Sequence, residues 1–162
     1  MDAGVSPALV HYHFDSREAL LAEALRYSYA RAADSRISAG DLPGDTHAER
    51  LRAMVDQCLP TTPGLAEDWV LWVELWLRAV RHPELAPVAE ELYGRLHSWF
   101  ADEVEAGVAS GEFPVCDVGA VVDGALAMLD GCGIRALIGD SRLSLDRARA
   151  LVWASIARDL RI

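Results

Sequence analysis

The stretch Ala3–Leu21, AGVSPALVHYHFDSREALL, decides how this chain is read, because it encodes two helices joined by a sharp polar corner. Ser6 suits the cap of a helix whose first position is Pro7, where a missing N–H costs nothing. Leu9, Val10 and Phe14 supply a packing side, while His11, Tyr12 and His13 carry groups able to donate to phosphate oxygens or base edges. Asp15 stands three residues before Glu18, a variant of the capping box that opens a second helix with Arg17 in its first turn. Such a pair suits a helix-turn-helix whose recognition helix enters the major groove.

Outward from that corner the chain reads as helices and turns. From Ser16 to about Ile37, Ala19, Leu20, Ala24, Tyr27 and Ala30 form a one-sided apolar stripe, which Gly40 to Gly44 breaks. Thr46 with Glu49 three residues on is a capping box, and Leu51, Met54, Val55, Cys58 and Leu59 follow at helical spacing. Thr61-Thr62-Pro63-Gly64 reads as a loop, Leu65 to Arg81 as a helix, and His82-Pro83 as its stop, since proline disfavours helical geometry in the residue before it. Pro83 then starts a helix periodic through Leu85, Val88, Leu92, Leu96, Trp99, Phe100 and Val104 to Gly111. Asp117 caps a helix to about Ile138 that is apolar on more than one face and therefore covered on two sides. Gly119, Gly124, Gly131 and Gly133 inside it each cost roughly 1 kcal/mol against Ala, which fits the close approach of another helix. Ser144 caps the last helix, whose stripe is Leu145, Ala148, Leu151, Val152, Ser155, Ile156 and Leu160. No segment alternates with period two, so the expected fold class is all-α.

At 162 residues and 52% hydrophobic, the chain has material for one good core. Its net charge is −10, and residues 1–31 hold three positive against four negative side chains, so even the end with the helix pair lacks the basic face that phosphate tracking favours. All 15 cationic residues are Arg. Cys58, Cys116 and Cys132 form no C-x-x-C pair, which argues against a disulfide framework or zinc finger and for reduced thiols in the cytoplasm. No apolar run reaches bilayer length and no leader peptide opens the chain, so no membrane partner is expected. His11 and His13, two apart on a helix, share no face and make no metal site. There is no G-x-S-x-G, no H-E-x-x-H and no glycine-rich phosphate loop, and Glu90-Glu91 and Glu103…Glu105 read as solvated faces. Neither enzymatic activity nor a cofactor is expected.

Gly4-Val5-Ser6, Val10, the Tyr12-His13-Phe14 triplet and Ser16-Arg17-Glu18-Ala19-Leu20-Leu21 together resemble the end of the DNA-binding domain of tetracycline-repressor (TetR) type regulators, namely its third helix and the start of its fourth. The resemblance implies contact with DNA backbone, and the candidate DNA-binding residues are Ser6, Pro7, His11, Tyr12, His13 and Arg17. The chain departs from the family pattern at His11, where a tyrosine is common, and at Arg17, where a lysine is common. Both replacements still reach phosphate, Arg as a planar fork and Lys as a point charge. The family's first two helices would precede Gly4, where only Met1, Asp2 and Ala3 stand, so a partial helix-turn-helix is expected.

Further along, Trp72…Glu74-Leu75-Trp76…Arg81-His82-Pro83-Glu84-Leu85, Tyr93, Trp99, Gly107, Gly111-Glu112-Phe113, Asp123-Gly124 and Leu143-Ser144-Leu145 are similar to the effector domains of the TetR subgroup that includes the choline-responsive regulators. That likeness implies a partial helix-turn-helix over 1–15, a connecting helix over 16–39 and an effector-binding and dimerisation domain over 40–162. It implies a homodimer through the last two helices, with Val118, Val121, Val122, Ala125, Leu129, Leu145, Ala148, Val152 and Ile156 as the interface. Operator DNA is an expected partner only with the missing N-terminal helices present, because Leu9, Val10 and Phe14 otherwise lack the helices they pack on.

Trp69, Trp72 and Trp76 follow the spacing 0, 3, 7 and share a helical face beside Val73 and Val80. An aromatic stripe at that spacing is by default packing. The sharper reading is a ligand cavity, since Trp joins a large apolar body to a polar handle, and its candidate residues are Met54, Cys58, Trp69, Trp72, Trp76, Tyr93, His97 and Met128. Glu74 and Arg78 point elsewhere on that helix, toward solvent. His97 reads either as a sensor of anion or pH or as a hydrogen-bonded core histidine, and His47 and His82, at element ends, as exposed. The expectation is a ligand-responsive regulator of TetR type, a repressor released from its operator when an unknown small molecule shifts the population of conformers. The alternative is an all-helical dimerisation or small-molecule-binding module with no DNA binding of its own.

Overall fold

The computed structural model describes residues 12–14, 16–17, 19–24, 26–27 and 42–162. From residue 42 on, the elements are α1 (His47–Gln57), α2 (Pro63–Arg81), a single 3₁₀ turn (Pro83–Leu85), α3 (Ala86–Ser110), α4 (Val118–Leu137) and α5 (Leu145–Leu160). Among the described residues none lies in a β-strand, and the fold is all-α.

Local chemistry sets most of the helix starts. Thr46 and Glu49 form both halves of a capping box on α1, Asp117 accepts from the N–H of Ala120 at the start of α4, and Ser144 accepts from Arg147 at the start of α5. Helix α2 begins two residues before the expected Leu65: Thr62 accepts from the N–H of Leu65, and Pro63 takes the first helical position, where its absent N–H is no loss. Pro83 opens the 3₁₀ turn rather than α3 itself, which starts at Ala86. At the far end of α3, Gly111 adopts a left-handed φ of 81°, which reverses the chain so that the Phe113 N–H reaches the Gly107 carbonyl at 3.0 Å.

Two apolar clusters hold these elements. The larger joins Leu51, Met54 and Val55 of α1, Phe100 and Val104 of α3, and the facing rows of α4 and α5. The smaller joins Leu75 of α2, Leu85, and Val88 and Leu92 of α3 to Ala22. Ala22 belongs to the N-terminal segment, whose described residues 17, 19–24 and 26–27 are helical and whose start is capped by Ser16, with Oγ 3.0 Å from the Ala19 N–H. Asp15 and Glu18, the expected capping box, lie outside the described residues, as does the expected helix beyond residue 27 up to Ile37. Arg26 adds a tie from this segment to α3, its Nε donating to Glu91 at 3.3 Å.

Three expectations need correction. Val121, Val122, Ala125, Leu129, Ala148, Val152 and Ile156, assigned to a dimer interface, are each at most 4% exposed within the single chain. Side chains already covered by their own subunit have no surface left for a second copy; Val118 and Leu145 are half-buried, and Val118 packs on the same core. The apolar stripe assigned to the interface is the one that seals α4 to α5. Of the four glycines in α4, only Gly133 is tightly approached, and by a ring rather than a helix: a Cβ there would lie 2.0 Å from Trp69. His47 and Glu103 are not solvated, since His47 Nδ1 lies 2.7 Å from Glu103 Oε1 and from Arg50 Nη2, while Glu112 accepts from the N–H groups of His47 and Ala48 at 2.8 Å each. Burial pulls the Glu112 carboxyl upward, and those two N–H bonds together with the nearby His47 and Arg50 outweigh it, leaving its pKa below the ordinary value.

Candidate ligand-binding site

Between the two clusters, the end of α1 and one side each of α2, α3 and α4 enclose a cavity. Its walls are Gln57 and Cys58 from the end of α1, Asp68, Trp69, Trp72 and Trp76 from α2, Tyr93 and Leu96 from α3, and Leu129 and Asp130 from α4. The 0, 3, 7 spacing puts the three indoles on one side of α2. Trp69, 8% exposed, lies over the bare backbone of Gly133 and donates its indole N–H to the Cys58 carbonyl at 3.1 Å. Trp76 stacks on Tyr93 with ring centroids 6.1 Å apart and planes at 19°, and Trp72 meets Tyr93 edge-on at 5.5 Å. The free space among these rings is about 40 Å³, room for roughly three water-sized groups.

Five of the eight residues expected to line a ligand site, Cys58, Trp69, Trp72, Trp76 and Tyr93, are in these walls. The other three are elsewhere. Met54 is fully buried in the larger cluster, Met128 packs against that cluster from outside, and His97 faces Asp123, with Nε2 3.5 Å from Oδ1. Val80 is 85% exposed and takes no part in the aromatic face. Arg78 and Glu74 are paired with each other at 2.5 Å and are partly buried rather than freely solvated. Of the expected DNA contacts, Tyr12, His13 and Arg17 are exposed; Ser6, Pro7 and His11 lie outside the described residues.

Gln57, Asp68, Leu96, Leu129 and Asp130 were not foreseen in the walls. Asp130 did leave a signal, being a carboxylate inside a helix that reads as covered on two sides, where a charge requires a partner. That partner is Tyr93, whose hydroxyl donates to Asp130 Oδ2 at 2.5 Å. Burial pushes the Tyr93 phenol far above its ordinary range, and the bond to Asp130 adds to the shift. Burial also raises the Asp130 carboxyl, while the Tyr93 bond draws it partly back.

The polar groups of the walls set what the cavity takes. Asp68 and Asp130 contribute carboxylates and, among the described residues, no Arg or His lines it, so an anionic guest would meet two carboxylates with no cationic side chain to offset them. Aromatic faces attract cations through their quadrupoles, most strongly where water is excluded. Among the described residues, two buried side-chain polar atoms lack any hydrogen-bond partner, Gln57 Oε1 and Trp76 Nε1, and both residues are in this wall.

Comparison with known proteins agrees with this architecture. Residues 47–161 match the family described as BetI-type transcriptional repressor, C-terminal. The chain is 27% identical over 162 residues to the HTH-type transcriptional regulator BetI of Rhizobium meliloti (strain 1021), covering 98% of this chain and 75% of that protein. Among solved structures it is similar to a transcriptional regulator from Saccharomonospora viridis in complex with choline, at 28% identity and a TM-score of 0.86 over 98% of this chain and 82% of that one. A TetR-family regulator from Rhodococcus sp. matches at 28% identity and a TM-score of 0.82 over the same shares. With a matched family spanning most of its length, the chain belongs to the TetR family of ligand-responsive transcriptional regulators and carries the BetI-type C-terminal domain.

Proposed function

We propose that the cavity is the effector site and that its effector is a small organic cation of the trimethylammonium class. The observation that carries this reading is the composition of the walls: four aromatic rings, two carboxylates and, among the described residues, no cationic side chain. The choline held by the similar Saccharomonospora viridis regulator belongs to that class. With about 40 Å³ free among the rings, a trimethylammonium head must part Trp72 and Trp76 from Tyr93.

That displacement has a short path to the N-terminal segment. Tyr93 neighbours Leu92 on α3, and Leu92 packs in one cluster with Ala22, against which Trp72 also lies. Arg26 holds Glu91, two positions before Tyr93. A cation that favours a parted arrangement of these rings thereby favours one disposition of the segment carrying Arg17, and a dimer's two reading heads tolerate little change in a spacing of about 34–36 Å. The dimer itself uses the outward faces of α4 and α5, where exposed small residues, Ala120, Ala127 and Gly131 on one helix and Ala150 and Ala154 on the other, allow close approach.

Quenching of intrinsic tryptophan fluorescence by choline tests the site. Saturable quenching is expected, weakened roughly tenfold by Trp72→Ala or Asp130→Asn. Ionised Asp130 is the form that attracts a cation, so affinity is full above its raised pKa and falls as pH drops through it. Choline affinity indifferent to both substitutions would overturn the assignment.

A further inference from the structure

We propose that the outward face of α2 is a self-complementary contact between two copies of this chain, docked antiparallel about a two-fold axis near residue 74. The inward sides of α2 are occupied: Trp69, Trp72 and Trp76 line the cavity, and Leu71, Leu75 and Ala79 pack in the smaller cluster. The outward side carries Ala66, Val70, Val73, Leu77 and Val80, alternately four and three residues apart. That is the spacing of a seam on which a second helix seats. Val70 is 56%, Leu77 47% and Val80 85% exposed, so among the described residues nothing covers the seam.

The charges beside the seam select the occupant. Glu67 and Arg81 are exposed, and among the described residues neither side chain has an ion-pair or hydrogen-bond partner. They stand 14 residues apart on one flank of the seam, about 21 Å along the helix axis and only ~40° around it. Turning α2 end for end about residue 74 sets Glu67 opposite Arg81 of the partner subunit, and the symmetry repeats the pair at the other end. The same operation lays Val70 against Leu77 of the partner subunit and Val80 beside Ala66 of the partner subunit. Glu74, nearest the axis, meets its own copy, and Arg78 already neutralises it. Acid, apolar, neutral centre, apolar, base is an order that matches itself when reversed. Three exposed apolar side chains on a helix of 19 residues give a total contact under about 1,200 Å², the class of weak associations. The face is separate from the outward sides of α4 and α5, so where copies already pair there, a second two-fold contact joins pairs into larger assemblies.

Analytical ultracentrifugation of the full chain from low micromolar to millimolar concentration tests the contact. A reversible association step at high micromolar concentration is expected. Leu77→Glu and Val80→Glu each weaken that step at least roughly tenfold, with helix content by circular dichroism unchanged at these exposed sites. Arg81→Glu alone and Glu67→Arg alone each weaken it roughly threefold to tenfold, and the double variant, which exchanges the two charges, regains it. Absence of any such step overturns the proposal and leaves the seam to a foreign helix. A step that Leu77→Glu and Val80→Glu leave untouched overturns it as well, because association then uses another face. A double variant no better than either single one overturns the antiparallel docking, and this charge exchange decides the matter even if the two apolar-site variants lose helix content.

Discussion

The seam between α4 and α5 and the cavity beside α2 are both interior, yet they are built on opposite terms. Along the seam Val121, Val122, Val152 and Ile156 interlock with almost no exposed surface, and the buried hydroxyl beside them, Ser155, is satisfied by Arg158. Around the cavity the rings touch one another edge-on or stacked, a tyrosine is tied to a raised carboxyl, and a donor and an acceptor are buried without partners. Each such orphan costs about 1–3 kcal/mol, a loss that packing elsewhere must cover and that a guest can return. The difference teaches where this chain keeps its stability and where it keeps its chemistry.

Substitutions that separate the two regions follow in order of size. Phe100→Ala, at a site 1% exposed in the larger cluster, is expected to cost about 3–5 kcal/mol of unfolding free energy in urea titrations, with choline affinity of the folded protein little changed. Gly133→Ala lies on the boundary: its Cβ would meet the Trp69 ring, so a loss of about 1–3 kcal/mol should come together with weaker choline binding. If stability fell alone, the Gly133–Trp69 contact would belong to the core and not to the site. Gln57→Leu removes an orphaned acceptor, and the ligand-free protein is expected to gain up to about 1 kcal/mol in thermal or urea unfolding. A clear loss there would mean the amide is paired in solution. Arg142→Ala, at an 86% exposed side chain sharing Asp140 with Arg135, should move stability by less than about 0.5 kcal/mol.

The sequence was legible where a few adjacent residues decide the outcome. Thr46, Asp117 and Ser144 announce helix starts because the cap and the N–H it accepts lie three residues apart. Thr62-Pro63 carries the same signal but is masked by turn residues on either side, and so reads as a loop. The single face of Trp69, Trp72 and Trp76 was legible from spacing, and the likeness to TetR regulators from motifs at both ends of the chain. What faces those rings was not, since Gln57 and Asp130 come from other helices and only packing brings them in. The phase of α4 was hidden for a different reason: a helix apolar on several sides does not say which side its own chain covers.

The five tryptophans report on the two regions separately, with Trp69, Trp72 and Trp76 at the cavity and Trp99 and Trp153 packed against the larger cluster. The most direct measurement is a choline titration followed through the indole N–H resonances of the nitrogen-15-labelled chain. The Trp72 and Trp76 signals are expected to move and saturate together, while Trp99 and Trp153 stay in place. Resonances of Trp99 or Trp153 moving while those of Trp72 and Trp76 stand still would contradict the account.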